Sequence, residues 1–138
     1  IPDQKVIDVG CGSGILSIAA EKLGAQEVLA LDLDPVAVNN AQENCKQNHT
    51  EKVAVKKGDL LQGVGTTSQV IVANILAEII EQMMYDLPRV LEPGGIFIGS
   101  GIIAKKQEDI INGLHLVGLS VVDIVTEEDW VAIAAQKK

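Results

Sequence analysis

The chain has 138 residues, of which 47% are hydrophobic, only 2% are aromatic and 22% are charged. This length fits a single domain whose core is built from aliphatic side chains. The formal net charge of −8 argues against non-specific nucleic-acid binding, which needs a basic surface, and no apolar segment is long enough to span a membrane. Cys11 and Cys45 have no disulfide-framework spacing, so we expect a reducing, cytoplasmic setting.

The first predicted strand, near residues 5–9, runs into a turn with three glycines. The sequence here is Val6-Ile7-Asp8-Val9-Gly10-Cys11-Gly12-Ser13-Gly14, followed by a predicted helix near 14–23 that Gly24 ends. Glycine is required where φ is positive or where the backbone lies against a ligand. The start of a helix also offers unpaired N–H groups. The turn therefore predicts a nucleotide-cofactor site.

The spacing of these glycines separates two kinds of cofactor. Dinucleotide-binding folds have G-x-G-x-x-G, in which the third glycine lets the helix pack close to the strand. That position is Ile15 in this chain, a large branched residue, which argues against a nicotinamide oxidoreductase. The D-x-G-x-G-x-G pattern of residues 8–14 resembles instead the first motif of S-adenosylmethionine-dependent methyltransferases with a Rossmann-like fold.

A second predicted strand, near 27–32, ends in Asp32. Its distance from the glycine turn is about that of the acid that binds both ribose hydroxyls in nucleotide-binding folds (roughly 20 residues). Asp34-Pro35 then begins a helix near 35–48, with Asp34 as its N-cap and Pro35 in the first turn. We therefore assign ribose binding to Asp32 and helix capping to Asp34. The alternative for Asp32 is a solvated acid at the end of a strand.

The third predicted strand, near 52–57, ends in Gly58-Asp59. The resemblance to methyltransferases implies that Asp59 binds the adenine amino group and that Leu60 packs on the adenine ring. The alternative is that Asp59 only begins a turn.

The fourth predicted strand, near 69–74, ends in Asn74, before a helix near 77–91. In open α/β sheets ligands bind at this carboxyl edge. Methyltransferases that act on planar nitrogens have Asn-Pro-Pro-Tyr here, whereas this chain has Asn74-Ile75-Leu76-Ala77 and so lacks the aromatic stacking platform. The difference favours a non-planar amine as the methyl acceptor, oriented by the Asn74 side chain. The alternative for Asn74 is a turn residue that ends the strand.

The rest of the chain completes the sheet. A turn through residues 92–95 leads into a strand near 95–100, a helix follows near 104–113, and strands at 119–125 and 130–135 form a hairpin because their connection is too short for a parallel crossover. Trp130 is expected to pack at the start of its strand, with a substrate contact as the alternative. The predicted fold is α/β, a doubly wound, mostly parallel seven-stranded sheet with a C-terminal antiparallel hairpin.

Four segments together resemble one methyltransferase family. The runs VIDVGCGSGILSIAAEKLGA, ALDLDP and VANILAE, with the stretch from Leu91 to Ile102, are similar to the bacterial lysine methyltransferases of ribosomal protein L-eleven. The resemblance covers essentially the whole chain. It implies transfer of methyl groups from S-adenosyl-L-methionine to lysine side chains and to the N-terminal amine of a basic ribosomal protein, in the cytoplasm.

The resemblance also implies a set of site residues. Asn74 is the expected catalytic residue, no metal is expected because His49 and His115 are isolated, and the expected cofactor-binding residues are Asp8, Gly10, Cys11, Gly12, Gly14, Asp32, Leu33, Asp59, Leu60 and Asn74. Family members carry an N-terminal substrate-recognition domain, whereas this chain starts just before the glycine turn. We therefore expect residues 1–138 to be a single S-adenosylmethionine-binding catalytic domain. The alternatives are a different amine or an RNA as acceptor, or a truncated cofactor-binding module without activity.

Overall fold

The computed structural model describes residues 2–138 and has one seven-stranded sheet in the order β3-β2-β1-β4-β5-β7-β6. The strands are β1 (Lys5–Val9), β2 (Glu27–Asp32), β3 (Val53–Lys57), β4 (Ser68–Asn74), β5 (Leu91–Ile103), β6 (Leu119–Glu127) and β7 (Trp130–Lys137). The helices are α1 (Ile15–Lys22), α2 (Pro35–Gln47), α3 (Ala77–Met83), α4 (Leu87–Val90) and α5 (Gln107–Leu116). The first five strands pair in parallel, whereas β7 runs antiparallel to both of its neighbours. The predicted fold class is confirmed.

The centre of the sheet is aliphatic and covered on both faces, as expected of parallel strands. In β1 the four residues from Val6 to Val9 are all buried. The larger core cluster lies on one face and includes Ile71, Phe97 and Leu114, whereas a smaller cluster around Val28 lies under α1. The chain's one phenylalanine, Phe97, is fully buried, and the rest of this core is aliphatic or methionine.

A local signal sets the C-terminal end of the first helix. The C-terminus of α1 is a Schellman motif, in which Gly24 N–H donates to Glu21 and Ala25 N–H donates to Ala20. Gly24 has a φ of +99°, which favours glycine. The predicted helix end at Gly24 is therefore confirmed.

Two predicted boundaries are wrong. The helix expected over 77–91 is divided into α3, a short 3-10 turn and α4, because Pro88 lies in the first turn of α4 and lacks the N–H that a continuous helix would need. The strand expected over 95–100 is longer, since β5 already begins at Leu91. Residues 92–95, predicted as a turn before the strand, form a bulge within it, between the pairs Ser68–Leu91 and Val70–Ile96.

The C-terminal hairpin is present as predicted, with β7 inserted between β5 and β6. The expected packing of Trp130 is wrong, however, because the residue is half exposed (52%). Trp130 pairs with Ile103, the last residue of β5, and the carbonyl of the preceding turn residue, Asp129, accepts the Ala104 N–H at 2.8 Å. Between residues 2 and 138, no helix is both long enough and apolar enough to cross a membrane.

Candidate active site

The direction in which successive strands are added to the sheet reverses between β1 and β4. The chain builds outward from β1 through β2 to β3, and then returns to place β4 on the other side of β1. The connections leaving β1 and β4 therefore diverge at the carboxyl edge and leave a crevice between them. Such a switch point is where open α/β sheets bind ligands. The predicted residues Gly10, Asp32, Asp59 and Asn74 follow or end these strands at that edge.

All three glycines of the turn have positive φ angles. These are +71° at Gly10, +54° at Gly12 and +85° at Gly14, values that other residues adopt only with strain. The N–H groups of Gly10 and Cys11 both donate to the Leu31 carbonyl, at 2.8 and 2.9 Å. The turn is thus fixed to the end of β2.

The space around each glycine differs. A Cβ atom at Gly10 would lie 2.6 Å from Ile75 Cγ2, and one at Gly14 would lie 3.1 Å from Ala41 Cβ. A Cβ atom at Gly12 would meet nothing within 4 Å. Close approach to the rest of the protein therefore explains Gly10 and Gly14, and only Gly12 faces open space.

The expected steric role of Ile15 is wrong. Ile15 is the first residue of α1 and is 70% exposed, so its side chain does not separate the helix from the strand. Ser17, two residues later, is the fully buried residue of this first turn.

The carboxylate of Asp32 is held by two backbone groups. Gly12 N–H donates to Oδ2 and Asp34 N–H donates to Oδ1, both at 3.0 Å. An ionised carboxylate has about four acceptor positions, so both oxygens retain a free one. The half-buried Asp32 thus connects the glycine turn with the start of α2 and still presents acceptors to a ligand.

Asp34 caps α2 as predicted. Its backbone is extended, its Oδ1 accepts the Val36 N–H at 2.9 Å, and Pro35 occupies the first turn of the helix. A proline there costs nothing because that N–H would be unpaired in any case. The neighbouring acids Asp32 and Asp34 therefore have separate structural roles.

Asp8 does not face the crevice. Its side chain is buried and its Oδ2 accepts a hydrogen bond from the Ser17 hydroxyl at 2.7 Å, behind the glycine turn. Burial raises the pKa of Asp8 above its ordinary value, while the hydrogen bonds from Ser17 partly oppose that rise. Asp8 therefore anchors α1 to β1, and its side chain points away from the crevice.

Cys11 is also directed into the protein. Its side chain packs with Ala30 and Ala41, and burial, the largest cause, raises the pKa of its thiol to about 12. Its N–H and carbonyl are both used inside the turn, with Leu31 and Gly14. The structure therefore does not bring the Cys11 thiol to the site.

A cleft of about 330 Å³ lies at the switch point. Five of the predicted cofactor-binding residues line it: Gly10, Asp32, Leu33, Asp59 and Leu60. A larger groove of about 540 Å³ between α2 and β3 contains none of the predicted residues. Of these two, only the smaller cleft combines an acid, a residue of the glycine turn and exposed apolar side chains, so the geometry favours it as the ligand site.

Sequence reasoning missed four residues that line this cleft. They are Gly58, Ile75, Ile79 and Gln82. Ile75, Ile79 and Gln82 are spaced i, i+4 and i+7, and α3 begins between the first two, so a helical face directed at the crevice was the available signal. The Gly58 N–H donates to the carbonyl of Asp32, at the end of β2, at 3.0 Å.

Asp59 and Leu60 form the far wall of the cleft. The Asp59 carbonyl accepts the Gln62 N–H at 3.0 Å, so Asp59 begins a turn and also faces the cleft. Leu60 has a φ of +54°, a strained value for a branched side chain, and it is half-buried. Such strain is typical of residues held in place for function.

Asn74 ends β4 beside the cleft, while its neighbour Ile75 forms part of the wall. Its side chain is exposed, and its backbone pairs with Ser100 of β5. The predicted position at the carboxyl edge of the sheet is therefore confirmed.

Known proteins are similar to this chain over its full length. Residues 1–138 match the family model described as ribosomal protein L11 methyltransferase (PrmA). Proteins named ribosomal protein L11 methyltransferase from Halalkalibacterium halodurans and Geobacillus kaustophilus are 54% identical over 134 residues and 53% identical over 137 residues. These alignments cover 96% and 99% of the chain, but only 43% and 44% of the relatives. The chain thus spans less than half the length of these relatives.

A solved structure has the same architecture. The crystal structure of ribosomal protein L11 methylase from Lactobacillus delbrueckii subsp. bulgaricus superposes with a TM-score of 0.96 at 37% identity. The superposition covers 100% of this chain and 72% of that one.

Proposed function

We propose that this chain, which belongs to the ribosomal protein L11 methyltransferase family, is the S-adenosylmethionine-binding catalytic domain of an enzyme that methylates amino groups of that ribosomal protein. The observation that carries the proposal is the Asp32 carboxylate, held by two backbone N–H groups between the glycine turn and the cleft. An acid in this position suits a ribose with two free hydroxyls.

The side chains around the cleft fit the parts of S-adenosylmethionine. The free acceptor positions of Asp32 would take hydrogen bonds from the ribose hydroxyls. Asp59 would bind the adenine amino group, and the apolar side chains of Leu60 and Leu33 would pack against the nucleoside. Gly10 and Gly12 would support the methionine end, where open space above Gly12 leaves room for the ligand.

Asp8, Gly14 and Cys11 would act indirectly. Asp8 holds α1 through Ser17, Gly14 admits α2 close to the turn, and Cys11 fills the space beneath it. We propose that these three residues shape the turn and do not themselves contact the cofactor.

Asn74 would contact the cofactor or the acceptor amine at the reacting end of the cleft, where the methyl group is transferred. Its side-chain oxygen can accept a hydrogen bond from the methionine ammonium group or from the incoming amine. When bound, S-adenosylmethionine supplies an electrophilic methyl group on a sulfonium. A free lysine has a pKa of about 10.4, so the acceptor must lose its proton before it can react. The apolar wall that includes Ile75 and Ile79 would favour the neutral amine by desolvation, and the remaining contribution of the protein is alignment.

The acceptor in this proposal is a basic protein. The net charge of −8 is complementary to such a partner and unfavourable for an RNA acceptor. We also propose a cytoplasmic location, because ribosomal proteins are made there.

Two measurements test the proposal. Calorimetric titration of the chain with S-adenosylhomocysteine should give saturable 1:1 binding, whereas NAD under the same conditions should give no heat of binding. Incubation with S-adenosylmethionine tritiated on the methyl group should then label purified ribosomal protein L11. Binding without labelling would indicate a cofactor-binding module that lacks its substrate-recognition part, and binding of NAD alone would refute the proposal.

A further inference from the structure

β5 contains one extra residue where it passes the end of β4. Along its pairing with β7, Gly99 lies opposite Ile133 and Ile102 lies opposite Val131, so three steps on β5 match two on β7. The extra residue belongs to a β-bulge, a feature that redirects a strand and is frequent beside active sites. On its other side, the same part of β5 pairs with the end of β4, where Ser100 lies opposite Asn74.

Gly101, within this bulge, lies against the Asn74 side chain. Its φ is +75°, and a Cβ atom added there would be 2.6 Å from Asn74 Oδ1. Such a distance is too short for a carbon and an oxygen in contact, so the Asn74 amide could not keep its orientation beside any larger residue. The next nearest atom, the Ile75 carbonyl oxygen, would be 3.6 Å away, which is an ordinary contact. The conflict is therefore with the amide of Asn74 and with little else.

Gly99, two residues earlier, shows the contrast. A Cβ atom there would lie 3.1 Å from the Phe97 ring and 3.3 Å from Ile80 Cδ1, both in the core. Gly99 thus serves core packing, whereas Gly101 adjoins an exposed polar side chain at the carboxyl edge of the sheet.

We propose that Gly101 is a positioning residue, which permits the orientation of the Asn74 amide at the reacting end of the cleft by leaving room for its oxygen. The use of that orientation rests on the proposed function, since it assigns Asn74 to the cofactor and the acceptor amine. The contact between Gly101 and Asn74 does not depend on that assignment.

The first test measures the orientation in the ligand-free chain. The side-chain amide resonances of Asn74 are compared by NMR in the wild type, in Gly101→Ala and in Gly118→Ala. Gly118 is the matched control, because its φ of +90° imposes similar strain on alanine while its Cβ would meet nothing within 4 Å. We expect Gly101→Ala to move the Asn74 amide resonances and Gly118→Ala to leave them in place. Unmoved resonances in Gly101→Ala would overturn the proposal.

The second test measures ligand affinity by calorimetry. Gly101→Ala should bind S-adenosylhomocysteine about tenfold more weakly, the loss expected from one misplaced hydrogen bond, and should bind 5′-methylthioadenosine, which lacks the amino-acid end, as the wild type does. In an Asn74→Ala background, Gly101→Ala should cause no further loss. A further loss there, or an unchanged affinity in the single variant, would contradict the proposal. If the wild type binds neither ligand, the proposed function fails, and the NMR comparison alone decides the role of Gly101.

Discussion

Asp8, Asp32 and Asp34 carry the same carboxyl group but have three different surroundings near the glycine turn. Asp8 is buried against Ser17, Asp32 accepts two backbone N–H groups, and Asp34 caps α2. The position of Asp32 at a strand end and the capping role of Asp34 could be predicted because strand ends and Asp-Pro helix starts are local patterns. The burial of Asp8 could not, since it depends on how α1 packs against β1.

Replacing Asp32 tests the proposed ribose contact. Asp32→Ala should weaken S-adenosylhomocysteine binding by about tenfold or more, because hydrogen bonds from the ribose to a charged acceptor are lost. Calorimetry measures the affinity.

The neighbouring acid provides the matched control for Asp32. Asp34→Ala should lower the free energy of unfolding by about 1 kcal/mol through loss of the N-cap and leave the affinity unchanged. An Asp32→Ala variant that binds like Asp34→Ala would refute the ribose assignment.

The raised pKa of Asp8 predicts a dependence of stability on pH. Its pKa in the folded chain lies above the ordinary value of 3.8, so the folded state holds this proton more tightly than the unfolded state does. As the pH rises from about 4 through the folded pKa, this group therefore lowers the free energy of unfolding. Asp8→Asn keeps an oxygen for Ser17 and cannot ionise, so its stability relative to the wild type should increase from pH 4 to pH 7.

Urea unfolding of wild type and Asp8→Asn at pH 4, 5.5 and 7 measures this difference. A constant difference between the two proteins across that range would mean that Asp8 does not carry the predicted proton.

At the scale of elements, the glycine turn combines two kinds of constraint that sequence alone does not separate. The glycine spacing correctly predicts a strand that turns into a helix. It also suggests that the glycines are needed because a ligand lies against the backbone. The structure assigns the close approach at Gly10 and Gly14 to Ile75 and Ala41 of the same chain. These residues lie 65 and 27 positions along the chain from their glycines, so only the folded arrangement reveals them.

Alanine at two positions of the turn should therefore have unequal effects on stability. Gly12→Ala imposes only backbone strain and should cost about 1 kcal/mol. Gly14→Ala adds a tight contact with Ala41 between the turn and α2, and should cost about 2 kcal/mol or more. Urea unfolding of both variants checks the order, and an equal or reversed order would contradict the assignment of Gly14 to helix packing.

Element boundaries were predicted less well than element types. Apolar residues recur through 77–91 without interruption, and so a single helix was expected although Pro88 divides it. β5 extends to 13 residues because its early part pairs with β4 across a bulge, and pairing of this kind has no local signature. The bulge at Gly101 was hidden for the same reason.

At the scale of the whole molecule, the doubly wound, mostly parallel class of the sheet follows from the alternation of strands and helices, whereas the order of its strands comes from the structure. Right-handed crossovers and short connections leave few arrangements for such a chain, and the hairpin connection at the C-terminus forces one antiparallel strand. The crevice at the switch point follows from that order. The wall of the cleft formed by Ile75, Ile79 and Gln82 was not predicted: their i, i+4, i+7 spacing indicates a shared face, but the direction of that face depends on the angle at which α3 leaves the sheet.

We propose that the cleft between the glycine turn and Asp59 binds S-adenosylmethionine. A crystal structure of the chain with S-adenosylhomocysteine is the decisive experiment. We predict the ribose hydroxyls within hydrogen-bonding distance of Asp32, the adenine between Asp59 and Leu60, and the amino-acid end over the glycine turn towards Asn74. A ligand bound elsewhere, for example in the groove between α2 and β3, or a cleft that stays empty at saturating ligand, would contradict this account.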